Sequence, residues 1–166
     1  MHDNNKKWLD DLKQQYPNNF SNAKILEVGS RDWNGSVRSW FKDCEYHGID
    51  IVNGDHVDQV VSAKDFFRKS KNKYNTIISF SVLEHDKNWK HSLTNIGNVM
   101  NKKSLLFMCW GAEGNIRHNE PWALVPHQEV LDYLYKLGFK ILDNFFEEDR
   151  YGKNCAGCYN VVAKKI

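Results

Sequence analysis

The chain is 166 residues long, 41% hydrophobic and 27% charged, with a formal net charge of +2. That length suits one domain over residues 1–166, with a core that hides roughly 70% of the unfolded surface. The near balance of charge, with lysines scattered apart from short clusters such as Lys6–Lys7 and Lys102–Lys103, argues against a nucleic-acid partner. No run approaches the roughly 20 apolar residues of a membrane span, and MHDNNKKWLD lacks the apolar centre of a secretory signal. A cytoplasmic location and no membrane partner are therefore expected.

Trp8, Leu9, Leu12 and Tyr16 recur at helical spacing, which predicts an amphipathic helix over about residues 5–16, stopped by Pro17. Lys24 to Val28 reads as a first strand. Val37, Trp40 and Phe41 mark a helix over Ser36 to Phe41, with Ser36 as its cap. Glu45 to Ile49 and Val57 to Val61 read as the second and third strands, followed by a helical turn over Ala63 to Lys69. Tyr74 to Phe80 is rich in β-branched and aromatic residues and reads as a fourth strand. Trp89, Leu93, Ile96 and Met100 then return to helical spacing, and Leu105 to Trp110 reads as a buried fifth strand.

A polar and aromatic loop spans Gly111 to Val125. Val130, Leu131, Leu134 and Leu137 mark a helix that starts near Pro126 and ends at Gly138. Phe139 to Phe146 and Tyr159 to Lys164 read as two last strands, joined across Glu147 to Gly157. Cys155 and Cys158 form a lone CxxC with no second ligand pair. It reads as a turn with reduced thiols, and no metal site is expected.

Alternating strands and helices imply a mainly parallel sheet covered on both faces. Ligands of such sheets bind beyond the carboxyl ends of the strands, so those ends carry the functional information. The first strand ends in Glu27-Val28-Gly29-Ser30-Arg31, and the second in Gly48-Ile49-Asp50-Ile51. Ser62-Ala63 follows the third strand, and Ser79-Phe80-Ser81-Val82-Leu83-Glu84-His85 closes the fourth. A glycine after the first strand permits a sharp turn and a close backbone approach. An acid two residues before it suits a cationic ligand better than a phosphate.

These four strand ends resemble the class I S-adenosylmethionine-dependent methyltransferases, in particular a small branch with Leu-Glu-His after the fourth strand. The resemblance is closest over Lys24 to Gly111. It implies a Rossmann-like α/β fold: a seven-stranded sheet in order 3-2-1-4-5-7-6, last strand antiparallel, helices on both faces. It implies S-adenosylmethionine as cofactor and S-adenosylhomocysteine as product. The cofactor-binding set it implies is Glu27, Gly29, Ser30, Arg31, Gly35, Asp50, Ile51, Ser62, Ala63, Phe80, Ser81 and Val82. Asp50 falls where the family accepts hydrogen bonds from the ribose hydroxyls, a task suited to an acceptor-only carboxylate. The family's ExGxGxG reads here with Arg31 and Trp33 at the second and third glycines, and Gly35 two residues later.

His85 is the candidate general base, because an unperturbed imidazole titrates near 6.5. His118 and Glu120 sit in the long loop after the fifth strand, where this family builds acceptor sites. Trp89, Trp110 and Trp122 are candidates for an acceptor pocket. The expected reaction is methyl transfer to a small molecule. A non-catalytic binding module on the same fold is the alternative, and a nicotinamide-dependent oxidoreductase would require a G-x-G-x-x-G that this loop lacks.

Overall fold

A computed structural model describes residues 3–33, 35–66, 73–112, 125–148 and 157–166. Seven strands form one sheet: β1 (Lys24–Val28), β2 (Glu45–Asp50), β3 (Gln59–Val60), β4 (Tyr74–Phe80), β5 (Met100–Gly111), β6 (Phe139–Glu147) and β7 (Cys158–Lys165). Their order is β3-β2-β1-β4-β5-β7-β6. Strands β1 to β5 pair in parallel, and β7 runs antiparallel to both β5 and β6. The order and the antiparallel last strand agree with the sequence expectation. The helices are α1 (Asp3–Gln15), α2 (Ala63–Phe66), α3 (Trp89–Asn98) and α4 (His127–Lys136).

The central strands are apolar on both faces, as strands covered on both sides must be. Successive side chains alternate. Leu26, Ile77, Leu106 and Met108 join Leu93 and Ile96 of α3 and Val130 and Leu134 of α4 in one core layer. Ile25, Ile78, Leu105 and Phe107 join Leu9 and Leu12 of α1, with Phe20, Val37 and Phe41, in the other. Fully burying a leucine of this kind contributes about 1.5–3 kcal/mol, which fixes α1 on its face.

Helix α1 runs against the direction of β4. Trp8 stacks on Phe80 at the end of β4, with centroids 5.3 Å apart. After the helix, Asn19 Nδ2 donates to Thr76 Oγ1 near the start of the same strand at 2.9 Å. The amino end of α1 thus points to the carboxyl edge of the sheet, where the site lies.

The expected helix over Ser36 to Phe41 is not formed; a single 3-10 turn, Arg38–Trp40, takes its place. The cause is competition for the backbone. Lys42 N–H donates to Phe20 O at 3.0 Å, and Lys42 bridges to Ser21, which pulls the chain straight. Phe41 is locked there by stacking on Phe20 at 4.7 Å and 6°. Ser36 Oγ accepts from the Arg38 N–H at 3.1 Å, a local turn bond rather than an α-helical cap.

The third strand is shorter than expected, only Gln59–Val60, and the fifth is longer, Met100–Gly111. Helix α2 covers Ala63–Phe66. Residues 67–69 of the expected turn lie outside the described residues, as do residues 113–124 and 149–156 of the two loops.

Candidate active site

Gly29 ends β1 with φ +78, and its N–H donates to Ile49 O of β2 at 2.8 Å. Ser30 N–H donates to the same carbonyl at 3.1 Å. The turn passes so close to β4's exit that a Cβ at Gly29 would lie 2.3 Å from Val82 Cγ2. Two constraints, the positive φ and the contact, therefore demand glycine at this position. Gly48 is constrained by space alone, since a Cβ there would lie 2.4 Å from His56 O and 2.6 Å from Ser30 Oγ.

Asp50 closes the neighbouring strand. Its Oδ2 accepts from Arg31 N–H at 3.2 Å and its Oδ1 from Val52 N–H at 3.0 Å. Each carboxylate oxygen retains acceptor capacity toward a ligand, because two oxygens offer about four lone-pair positions. The carboxylate also ties the first loop to the second. Asp32 N–H adds a bond to Asp55 O at 3.2 Å, and Gly35 N–H donates to Asp32 Oδ1 at 2.6 Å. These bonds give the altered loop a defined path without its second and third glycines. Arg31 lays its guanidinium on Trp33 with 4.1 Å to the ring centroid, while Trp33 is 73% exposed.

Glu27 is buried behind this turn, and its Oε2 accepts from Tyr46 Oη at 2.8 Å. Burial pushes the Glu27 carboxyl up from 4.5 to about 8. The Tyr46 hydrogen bond and the Arg38 charge pull it back in part, and Asp32 and Asp50 add to the rise. Arg38 is itself held by Asp58 at 2.6 Å and lies over the Tyr46 ring at 4.7 Å. Asp58 Oδ2 also accepts from Gly48 N–H at 2.7 Å. Tyr46, Arg38 and Asp58 were not among the residues read from sequence as functional. Tyr46 lies on β2, Arg38 on the 3-10 turn and Asp58 just before β3, so they share no local motif.

On the β4 side, Ser81 adopts φ 55, and its N–H donates to Cys109 O at 2.9 Å. Phe80, Ser81 and Val82 are half-buried at the sheet edge, beside Gly29 through Val82. Leu83–His85 form a 3-10 turn, with Glu84 buried and His85 exposed. Glu84 Oε1 accepts from Gly111 N–H at 3.1 Å, which ties this turn to the end of β5.

Ile51 is 71% exposed beside Asp50. Ser62 Oγ donates to Asp65 Oδ2 at 2.6 Å at the start of α2, so its hydroxyl serves the helix end. The Ala63 carbonyl accepts from Asn95 Nδ2 at 3.5 Å. Trp89 and Trp110 belong to the core. His118, Glu120 and Trp122 lie outside the described residues. Among the described residues, no group of three His, Cys, Asp or Glu side chains converges as for a metal.

The sheet order, the turn at Gly29 and the acid at Asp50 define a class I methyltransferase architecture. Residues 1–137 match the family described as "Methyltransferase domain", and the chain belongs to that family. It carries a methyltransferase domain.

Its fold is similar to that of 1,6-didemethyltoxoflavin-N1-methyltransferase from Burkholderia thailandensis, whose structure holds 1,6-didemethyltoxoflavin and S-adenosylhomocysteine. The TM-score is 0.75 at 12% identity, covering 96% of this chain and 77% of that one. The N-methyltransferase NodS from Bradyrhizobium japonicum WM9 gives a TM-score of 0.71 at 10% identity, covering 97% and 96% of the two chains. Magnesium protoporphyrin IX methyltransferase from Synechocystis PCC 6803, with bound S-adenosylhomocysteine, gives 0.66 at 10% identity, covering 98% and 83%. No curated protein sequence matches the chain.

Proposed function

We propose that the chain, acting as one domain over residues 1–166, binds S-adenosylmethionine across the ends of β1, β2 and β4 and methylates a small molecule. The observation that carries this reading is the cradle at Gly29. Its backbone is pinned to β2, a side chain there would strike Val82, and Asp50 stands beside it. The residues fit the cofactor's chemistry. Its ribose offers two hydroxyl donors, and Asp50 is an acceptor-only group with capacity to spare. Its amino-acid portion carries a cation, Asp32 and Asp50 gather negative potential at this turn, and Glu27, which holds a proton up to about 8, gives that proton up when a cation is bound beside it.

Bound S-adenosylmethionine supplies a methyl group already activated by its sulfonium. The chain's task is orientation, which is worth up to about 7–11 kcal/mol when reacting atoms are held in line. Gly29 and Ser30 shape the floor, and Phe80, Ser81 and Val82 form the opposite wall. Exposed Ile51 provides an apolar surface for a flat base. Ser62 and Ala63 contribute shape at that end, since the Ser62 hydroxyl is committed to Asp65. Arg31 and Gly35 set the outer lip of the loop. Exposed His85 is one group positioned to take a proton from an acceptor that must lose one.

A small-molecule acceptor is favoured by the 1,6-didemethyltoxoflavin bound in the structurally similar N1-methyltransferase. No helix among the described residues is long and apolar enough to cross a membrane. We infer a cytoplasmic location, where a reduced thiol such as that of Cys44 is the expected form. Titration of S-adenosylhomocysteine by calorimetry into the whole chain and its Asp50→Ala variant tests the reading. Affinity in the wild type and a loss in the variant are expected; equal affinity would overturn it.

A further inference from the structure

His127 opens α4 at the carboxyl edge of the sheet, and its placement is unusual for a structural histidine. The ring lies flat on Tyr159, with centroids 4.5 Å apart and planes 9° apart. Trp110 closes the same corner at 5.9 Å from His127 and 5.5 Å from Tyr159. Phe146 extends the aromatic row, 5.1 Å from Tyr159. These rings come from neighbouring strands: Trp110 of β5 and Phe146 of β6 both pair with Tyr159 of β7.

The position of His127 is well fixed. Trp110 Nε1 donates to Val125 O at 3.1 Å, which holds the two residues before Trp110's neighbour α4 in place. Yet Nε2 of His127 is buried and meets no hydrogen-bond partner among the described residues. A buried polar atom without a partner costs free energy that a ligand donor can remove. Burial also holds the imidazole below its ordinary 6.5. The positive end of α4 disfavours a charged ring in the same direction. At neutral pH the ring is uncharged, so with the proton on Nδ1 its Nε2 is a hydrogen-bond acceptor.

The corner also communicates with the candidate active site. Gly111, the residue after Trp110, donates its N–H to Glu84 of the Leu-Glu-His turn. A ligand at His127 is therefore separated from that turn by one strand end.

We propose that His127 is an acceptor-binding residue, whose Nε2 accepts a hydrogen bond from the O–H of a flat, phenol-like methyl acceptor seated against the aromatic row. The inference rests on the methyl-transfer reading but concerns a different part of the site. The aromatic row suits the ring of such a molecule, and the unmet Nε2 suits its hydroxyl.

Phenol and its methyl ether, anisole, are the probes, titrated by NMR into the whole chain with and without S-adenosylhomocysteine. Phenol should bind about tenfold more tightly than anisole, the effect of one hydrogen bond to an otherwise unmet buried group. His127→Phe keeps the stack on Tyr159 and should erase the preference while leaving anisole affinity unchanged. His127→Asn, a second variant with a smaller polar group, should also lose it, and thermal melts establish that each variant is folded. Equal binding of the two probes by the wild type, no binding of either, or a preference that survives in folded His127→Phe would each overturn the proposal. Absence of S-adenosylhomocysteine binding with an intact phenol preference would instead strike the cofactor reading alone.

Discussion

Glu27→Gln isolates the buried carboxyl behind the first turn. In the folded chain that group titrates near 8, against an ordinary 4.5, chiefly because it is buried. The folded state therefore holds its proton more tightly than the unfolded state does. Below the ordinary value both states are protonated, and the contribution to stability is fully present. As pH rises the unfolded chain ionises first, so stability falls until the folded carboxyl also ionises near 8. At about 1.36 kcal/mol per pKa unit, the ceiling is about 5 kcal/mol, and relaxation with water entry brings the expected loss to about 2–3 kcal/mol.

Glutamine keeps an acceptor for the Tyr46 hydroxyl and does not ionise. Urea unfolding across about pH 5 to 8.5 should show a decline in the wild type and a flatter profile in the variant. The same variant should bind S-adenosylmethionine more weakly, because it cannot become an anion beside the cofactor's cation. Calorimetry in two buffers of different ionisation heat should detect proton release on binding by the wild type only. A wild-type stability that does not change over this range, or an identical decline in Glu27→Gln, would refute the reasoning.

Gly29→Ala should destabilise the chain by about 1–3 kcal/mol through its left-handed backbone, with a further cost from Val82. The double variant Gly29→Ala/Val82→Ala should recover only the second part in thermal melts. Asp50→Asn should weaken S-adenosylhomocysteine by about ten- to a hundredfold, as loss of charge-assisted bonds does; calorimetry reads this directly. Arg38→Ala removes a positive charge that lowers the Glu27 carboxyl, so the decline in stability should begin at the same pH but extend to higher pH in the same unfolding assay. Phe41→Ala should cost about 3–5 kcal/mol in urea unfolding, because its stack on Phe20 anchors the segment that replaces a helix.

The strand ends were legible because each combines a local period with a residue type that suits few backbone states. Gly29 is a case where one residue's own backbone freedom nearly fixes its place, at a positive φ after β1. The segment from Ser36 to Phe41 was misread as a helix for the opposite reason. Its apolar spacing was right, since Val37 and Phe41 are buried. The partner for its backbone was the distant Phe20 segment, and periodicity carries no information about distant partners. Ser62 was read toward the cofactor, but its hydroxyl is used by Asp65 three residues later. His127 drew no attention in the sequence, because a histidine after proline at a helix start is commonplace. Only the meeting of β5, β7 and α4 surrounds it with rings.

The sequence by itself determined the alternation of strands and helices, the two-sided core and the turn at Gly29, all of which follow from side-chain period and backbone permission. The tertiary structure alone decided which polar groups ended up out of water together. Glu27 acquired its proton from burial beneath the loop and its partner from Tyr46, 19 residues away. His127 lost its water and gained a flat neighbour from β7, 32 positions along the chain by the numbering of His127 and Tyr159. Desolvation depends on what the whole chain places around a group, so the chemistry of these two sites belongs to the fold.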